Sequence, residues 1–178
     1  MFFFTADTHF GHRNVLKLCN RPFENVEEMD ETLIENWNSR ITGRDTICIV
    51  GDMFFACDNP ETILKRLHGK KRLIVGNHDS SWMSKFEYQK YFESVDDLLQ
   101  ISDGKHSLIM CHYPLLTWMH QSRSFMIHGH IHANTDMDFW PCIKARNNLL
   151  NAGTDLNNFT PVTFNELLEN NRIFKETH

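Results

Sequence analysis

Eleven of the 178 residues are histidine, and several stand beside Gly, Asp or Asn where an apolar run ends. Asp7 and His9 follow the run 2–6, Asp52 follows 46–50 through Gly51, and Asn77 and His78 follow 72–75 through Gly76. His112 comes directly after the run ending at Cys111. His130 and His132 come shortly after the run ending at Ile127. Carboxylate and amide oxygens with neutral imidazoles suit Mn²⁺, Fe or Zn²⁺, and no thiolate enters the set. Asp7-x-His9 and His130-x-His132 have a spacing of two, so on extended backbone both members of a pair point the same way. Such a pair serves one site or straddles two adjacent metals. Asp7, His9, Asp52, Asn77, His112, His130 and His132 are more ligands than one zinc-like ion needs, and they suit two ions sharing a bridging carboxylate.

The elements that must position them can be read from periodicity. Short apolar runs at 2–6, 46–50 and 72–75 predict buried strands. Residues 26–40 read as a helix with Met29, Leu33, Ile34 and Trp37 on one face. Asp58 is the expected N-cap of a helix carrying Ile63, Leu64 and Leu67, with Pro60 in its first turn. Residues 80–92 read as helical. Further strands are expected at 97–102, 107–111, 125–127 and 149–151, and a short helix or turn at 164–169. Alternating strand and helix in the first half implies parallel pairing, whereas the closer strands of the second half imply a mixed or antiparallel sheet. The expected fold class is α/β, a two-layer mixed β-sheet sandwich flanked by helices. Strand ends on one edge of such a sheet are where ligand sites gather.

Size and charge narrow the function. A chain of this length fits one domain, 1–178, better than two. Its net charge of −5 speaks against a broad grip on long nucleic acid, which needs clustered Lys and Arg. A small nucleotide stays open as substrate, because bound cations reverse the local charge of a pocket. The start Phe2-Phe3-Phe4 is too short for a signal peptide, and no run approaches the ~20 apolar residues of a membrane span. Five cysteines without a C-x-x-C pair read as free thiols in a reducing cytosol, so a cytoplasmic location is expected. Oligomeric state is left open.

Asp7-x-His9, Gly51-Asp52, Gly76-Asn77-His78-Asp79, His112 and Gly129-His130-x-His132 resemble, in order, the motifs of the calcineurin-like metallophosphoesterase superfamily. The segment 151–155 with Pro161-Val162 is similar to the C-terminal part of small bacterial members. The resemblance implies a β-sandwich core with flanking helices. It implies one metal on Asp7, His9, Asp52 and His132, and a second on Asp52, Asn77, His112 and His130, with Asp52 bridging. His78 matches the family's non-ligand histidine and Asp79 its orienting partner. Two divalent cations are expected, Mn²⁺ first, with Fe, Zn²⁺ or Ni²⁺ as alternatives. Two such ions about 3.5–4 Å apart lower the pKa of a bridging water and clamp phosphate oxygens for in-line attack. The leaving alkoxide then needs a proton, which assigns His78 as general acid, with Asp79 fixing its tautomer or raising its pKa.

His12 and Asn14 lie just past the first motif and are candidate contacts to a substrate phosphate; the alternative for them is a plain helix start. Phe54, Phe55, Trp82, Trp118 and Met119 are split between pocket wall and core. His128 reads as a core or supporting group, and His68, His106, His120 and His178 as surface residues; Arg21 and Arg123 are split between phosphate contact and surface placement, the latter favoured. The expected function is hydrolysis of a small, nucleotide-like phosphodiester, with phosphomonoesterase as the alternative. A non-catalytic metal-binding scaffold is the further alternative, disfavoured because every ligand position is filled.

Overall fold

The computed structural model describes residues 1–178. Nine strands form two sheets. The first contains β1 (Phe2–Thr5), β2 (Thr46–Val50), β3 (Lys70–Ile74), β4 (Ser94–Asp96) and β9 (Val162–Thr163), in the order β4-β3-β2-β1-β9. Its pairings are parallel except for the β1–β9 edge. The second contains β5 (Leu98–Ser102), β6 (Ser107–Cys111), β7 (Ser124–His128) and β8 (Leu149–Asn151), in sequential order. Here β5 is antiparallel to β6 and the rest are parallel. Helices α1 (Val15–Leu18), α2 (Val26–Arg40), α3 (Pro60–Arg66) and α4 (Ser80–Met83) lie in the first half. Helices α5 (Trp140–Lys144) and α6 (Phe164–Thr177) lie in the second. Two mixed sheets flanked by helices make an α/β sandwich, as expected. No helix is long and apolar enough to cross a membrane.

The apolar runs are continuous because both faces of these strands are covered. On β1 and β2, Phe3, Ile47 and Ile49 face a core shared with Met29, Leu33, Ile34 and Trp37 of α2. Phe4, Cys48 and Val50 point the other way, into a core with Leu108, Met110, Ile127 and Leu150 of the second sheet. Ile109, Met126 and Leu149 form a third cluster with Trp140 and Ile143 of α5. Period-two alternation thus assigns each strand residue to one of two interfaces. The order of layers is helix, sheet, sheet, helix.

Four expectations need correction. Residues 80–92 do not form one helix: α4 stops at Met83 and a single 3₁₀ turn follows at Tyr88–Tyr91. Phe86, Tyr88 and Phe92 cluster around the buried Trp82 with ring centroids 5.9, 5.8 and 6.3 Å away, which a straight helix would not allow. Asp58 is not the cap of α3; Asn59 holds that position without a side-chain bond, and Pro60 begins the helix. The C-terminal element is a 14-residue helix rather than a short turn. Its apolar stripe was masked by Asn171 and Lys175, which are buried but fully engaged. Asn171 exchanges bonds of 2.7 and 2.9 Å with the backbone of Asn151, and Lys175 donates to the carbonyls of Arg146 and Leu149 at 2.7 and 2.6 Å. His106 is half-buried against Phe164, with ring centroids 4.3 Å apart. The two edge strands of the first sheet, β4 and β9, were missed outright.

Candidate metal centre

The parallel strands β1, β2 and β3 all end at the same edge of the first sheet, and β6 and β7 end at the matching edge of the second. Asp7, His9, Asp52, Asn77 and His78 leave the first set of ends; His112, His130 and His132 leave the second. Five of the seven expected ligands sit on left-handed backbone. Their φ values are 54° at Asp7, 52° at His9, 52° at Asp52, 72° at His130 and 49° at His132. Such non-glycine conformations cost about 1–3 kcal/mol each and persist only where the surroundings enforce them. The enforcement is visible. The amide of Asp7 donates to Gly51 O at 3.0 Å and that of His9 to Asp52 O at 3.1 Å. The amide of His130 donates to the carboxylate of Asp7 at 2.9 Å. A Cβ at Gly129 would lie 2.7 Å from the same carboxylate, so only glycine admits this approach.

Ligand atoms of Asp7, His9 and His132 lie within 4.8 Å of one another, and so do those of Asp52, His112 and His130. Asp52 stands between the two groups. Its Oδ2 is 3.8 Å from His9 Nε2, 3.4 Å from His112 Nε2 and 3.9 Å from His78 Nε2. Asn77 Oδ1 reaches His112 Nε2 at 3.1 Å. These donors fit divalent metal. Both ring nitrogens of His9 are buried without a hydrogen-bond partner, a rare state for a side chain lacking a ligand. Burial, with His132 nearby, pushes its pKa down to about 2, leaving lone pairs free at neutral pH. His112 places Nδ1 2.9 Å from Val50 O, and His132 places Nδ1 2.8 Å from Asp155 Oδ2, which leaves Nε2 as each ring's nitrogen for metal; in His112 that atom meets Asn77 Oδ1 at 3.1 Å. Burial raises Asp7 to about 6 despite the attraction of His132 and His112. Burial also opposes the charge of Asp52, but His112 and the His78 amide bring it down to about 2.

Asp79 does not orient His78. It is fully buried, and its Oδ1 accepts from the Met53 amide at 2.9 Å and Trp82 Nε1 at 2.8 Å. Its Oδ2 accepts from the amides of Asp52 and Gly76 at 2.9 and 2.8 Å. Four donors leave no lone pair for an imidazole, so Asp79 is the clasp that joins the β2 and β3 loops. His78 itself is part-exposed, its ring edge-on to Phe55 at 4.7 Å. His12 lies beside the centre, 5.3 Å from the His9 ring and 4.1 Å from Phe55. Asn14 does not: it is exposed at the start of α1 and outside the cleft. Phe54 and Trp82 are core, Phe55 packs its ring against those of His9, His12 and His78, and Trp118 packs part-buried against the outer core of the second sheet while Met119 is exposed.

Sequence reasoning missed two supporting residues. Arg21, expected at the surface, is buried and donates to Asp7 O at 2.6 Å and Thr8 O at 2.8 Å. It also forks onto Asp155 at 2.8 and 3.1 Å. Asp155 in turn holds His132. Its position just past the end of β8 is the same signal that identified Asp7. Cys19 lies close to His132 and Asp155, but both Asp155 oxygens are engaged by Arg21 and His132. That makes Asp155 a support.

The centre opens into a cleft of about 590 Å³ lined by His9, His12, His78, His130 and His132 and, on the far rim, Asn134 and Asp136. The sequence model of the calcineurin-like phosphoesterase family matches residues 1–175. An uncharacterized protein of Methanocaldococcus jannaschii is 31% identical over 176 residues, covering 96% of this chain and 92% of its own. The gene 66 protein of a Mycobacterium phage is 27% identical over 159 residues, covering 73% and 76%. In fold, the crystal structure of a protein of unknown function from Aquifex aeolicus superposes with a TM-score of 0.74 at 24% identity, over 95% of this chain and 98% of that one. Such a family carries out metal-dependent hydrolysis of phosphoric esters, which is the chemistry that the convergent carboxylate, amide and imidazole donors suit. The chain therefore belongs to the calcineurin-like phosphoesterase family.

Proposed function

We propose that the protein is a phosphodiesterase with a dinuclear centre, in which Asp7, His9 and His132 hold one divalent ion and Asn77, His112 and His130 the other. Asp52 bridges them. The observation that carries this reading is the place of Asp52 Oδ2, 3.8 Å from an imidazole of one group and 3.4 Å from an imidazole of the other. The ions supply charge that activates water and neutralises phosphate oxygens. An oxygen and nitrogen donor set without thiolate favours Mn²⁺, with Fe, Zn²⁺ and Ni²⁺ as competitors.

The diester is favoured over the monoester by the lining of the cleft, which contains no Lys or Arg and has Asp136 at its rim. A monoester carries a second negative charge that such walls leave uncompensated. His78 faces the cleft and donates the proton to the leaving oxygen; Phe55 limits its rotation. His12 is placed to contact the substrate. The chain works as one domain, and its five free cysteines support a reducing, cytoplasmic setting.

Metal-stripped protein with Mn²⁺ added back, assayed on bis-p-nitrophenyl phosphate and p-nitrophenyl phosphate, tests the reading. Metal-dependent turnover that favours the diester supports it. Preference for the monoester makes the protein a phosphatase, and no turnover with bound metal makes it a scaffold. His78→Ala should lower turnover of an alkyl ester about 100-fold and that of a nitrophenyl ester much less, because only the alkoxide needs protonation. Equal losses would exclude the general-acid role.

A further inference from the structure

Tyr113, immediately after His112, is 45% exposed, and its ring lies 4.6 Å from that of His130 and 5.3 Å from that of His112. Beyond it lies a second cavity, of about 370 Å³, walled by Leu116, Phe139, Ile143 and Leu149 and closed on one side by His130. Leu116 is 61% and Phe139 39% exposed. No Asp, Glu, Lys or Arg lines this cavity, and its only polar side chains are the Tyr113 hydroxyl and the His130 imidazole. His130 lines the polar cleft as well, so the two cavities meet at one candidate ligand. Large apolar side chains left open to water beside a catalytic centre mark a surface that a ligand covers.

We propose that this second cavity is a subsite for an uncharged aromatic group on the phosphodiester, an aryl ring or a nucleobase, attached to the arm that stays on phosphorus. The inference rests on the phosphodiesterase reading and names its substrate class. His78 lines the polar cleft and is absent from the apolar cavity, so the departing arm leaves on the His78 side. The retained arm then lies across His130, against Tyr113. Hydrolysis consumes one water. Its oxygen forms the new bond to phosphorus and gives up a proton to solvent, the bond to the departing arm breaks, and that arm's oxygen takes the proton from His78, which solvent then reprotonates. The product is a monoester still carrying its aromatic group. Two aromatic residues in the lining, Tyr113 and Phe139, favour a ring over an alkyl chain, through edge and offset stacking. The volume is at the small end of ligand pockets, which suits one ring system and excludes a peptide or a long chain.

The experiment compares kcat/KM of the Mn²⁺-loaded enzyme on methyl, hexyl and phenyl p-nitrophenyl phosphates, which share a leaving group and differ only in the retained arm. Phenyl should exceed methyl by at least ~10-fold, and hexyl should fall between them. In Leu116→Asp and in Phe139→Ala the phenyl-to-methyl ratio should drop to a few-fold; a ratio within one protein is insensitive to partial loss of fold. Equal rates for phenyl and methyl, or hexyl above phenyl, would overturn the aromatic subsite. So would a ratio unmoved by either variant. If none of the three esters turns over, the phosphodiesterase reading fails on its own. Calorimetric binding of phenylphosphonate and methylphosphonate to the metal-loaded protein then decides the subsite, with tighter phenyl binding expected and equal binding overturning it.

Discussion

Asp52 and Asp79 are both buried carboxylates in the same pair of loops, yet their surroundings give them different work. Asp52 turns Oδ2 toward three imidazoles and keeps Oδ1 on the His78 amide at 2.9 Å. Asp52→Asn should lower the bound metal from two ions to one or none per chain, measured by metal analysis after gel filtration. Two ions at full occupancy would remove Asp52 from the bridging position. Asp79 faces four protein donors and no imidazole. Asp79→Ala leaves those donors buried and unpaired, at about 1–3 kcal/mol each before relaxation. It should destabilise the protein by about 3 kcal/mol or more in urea unfolding. A loss below ~1 kcal/mol would show that the clasp is replaceable by water.

At the scale of elements, the site depends on loops held in strained conformations by side chains from elsewhere. Arg21, just beyond α1, bonds the carbonyls of Asp7 and Thr8, and the α6 residue Asn171 anchors Asn151 of β8. Lys71 shows the same economy in β3. Its ammonium donates to Leu67 O at 2.7 Å and Gly69 O at 3.0 Å, capping the end of α3. Burial lowers its pKa from the ordinary 10.5 to about 8. Between those values the unfolded chain holds a proton that the folded chain has lost, so stability attributable to Lys71 rises as pH climbs from about 8 toward 10.5. Below about 8 both states are charged and the contribution is flat. Lys71→Met should remove that rise, seen as a urea midpoint difference between wild type and variant that changes from pH 7.5 to pH 10. A constant difference would mean that the amine is solvated.

Across the whole molecule, the proposed ligands come from both sheets: Asp7, His9, Asp52 and Asn77 from the first, His112, His130 and His132 from the second. Metal bound between them would tie the sandwich together at one edge. Binding to the folded chain alone would stabilise it by mass action, about 2.7 kcal/mol for one site at 100 times its Kd. For a chain of this size that is roughly 5–10 °C in Tm. EDTA should therefore lower Tm by at least that amount, and Mn²⁺ should restore it. A Tm indifferent to EDTA in protein shown to have lost its metal would mean that the metal does not bind the folded chain in preference to the unfolded one.

The candidate ligands were legible because each requirement is local: a short apolar run, then a donor within a few residues, with a glycine just before it at Asp52, Asn77 and His130. Asp7, Asp52, Asn77, His112, His130 and His132 announce themselves in this way, and the parallel sheet order follows from the alternation of strand and helix. The rest depended on residues distant in the chain. Whether Asp79 serves His78 or the loop amides is decided by where Met53, Trp82 and Gly76 fall, and adjacency in sequence pointed to the wrong partner. Arg21 looked like a surface cation until Asp155, 134 positions away, supplied its counter-charge. The length of α6 was hidden because Asn171 and Lys175 find their partners only on another strand and loop. A sequence states which donors exist and how they are spaced. Which lone pairs are already taken, and so which donors are left for metal and substrate, is settled only when the two sheets close on each other and exclude water from the groups between them.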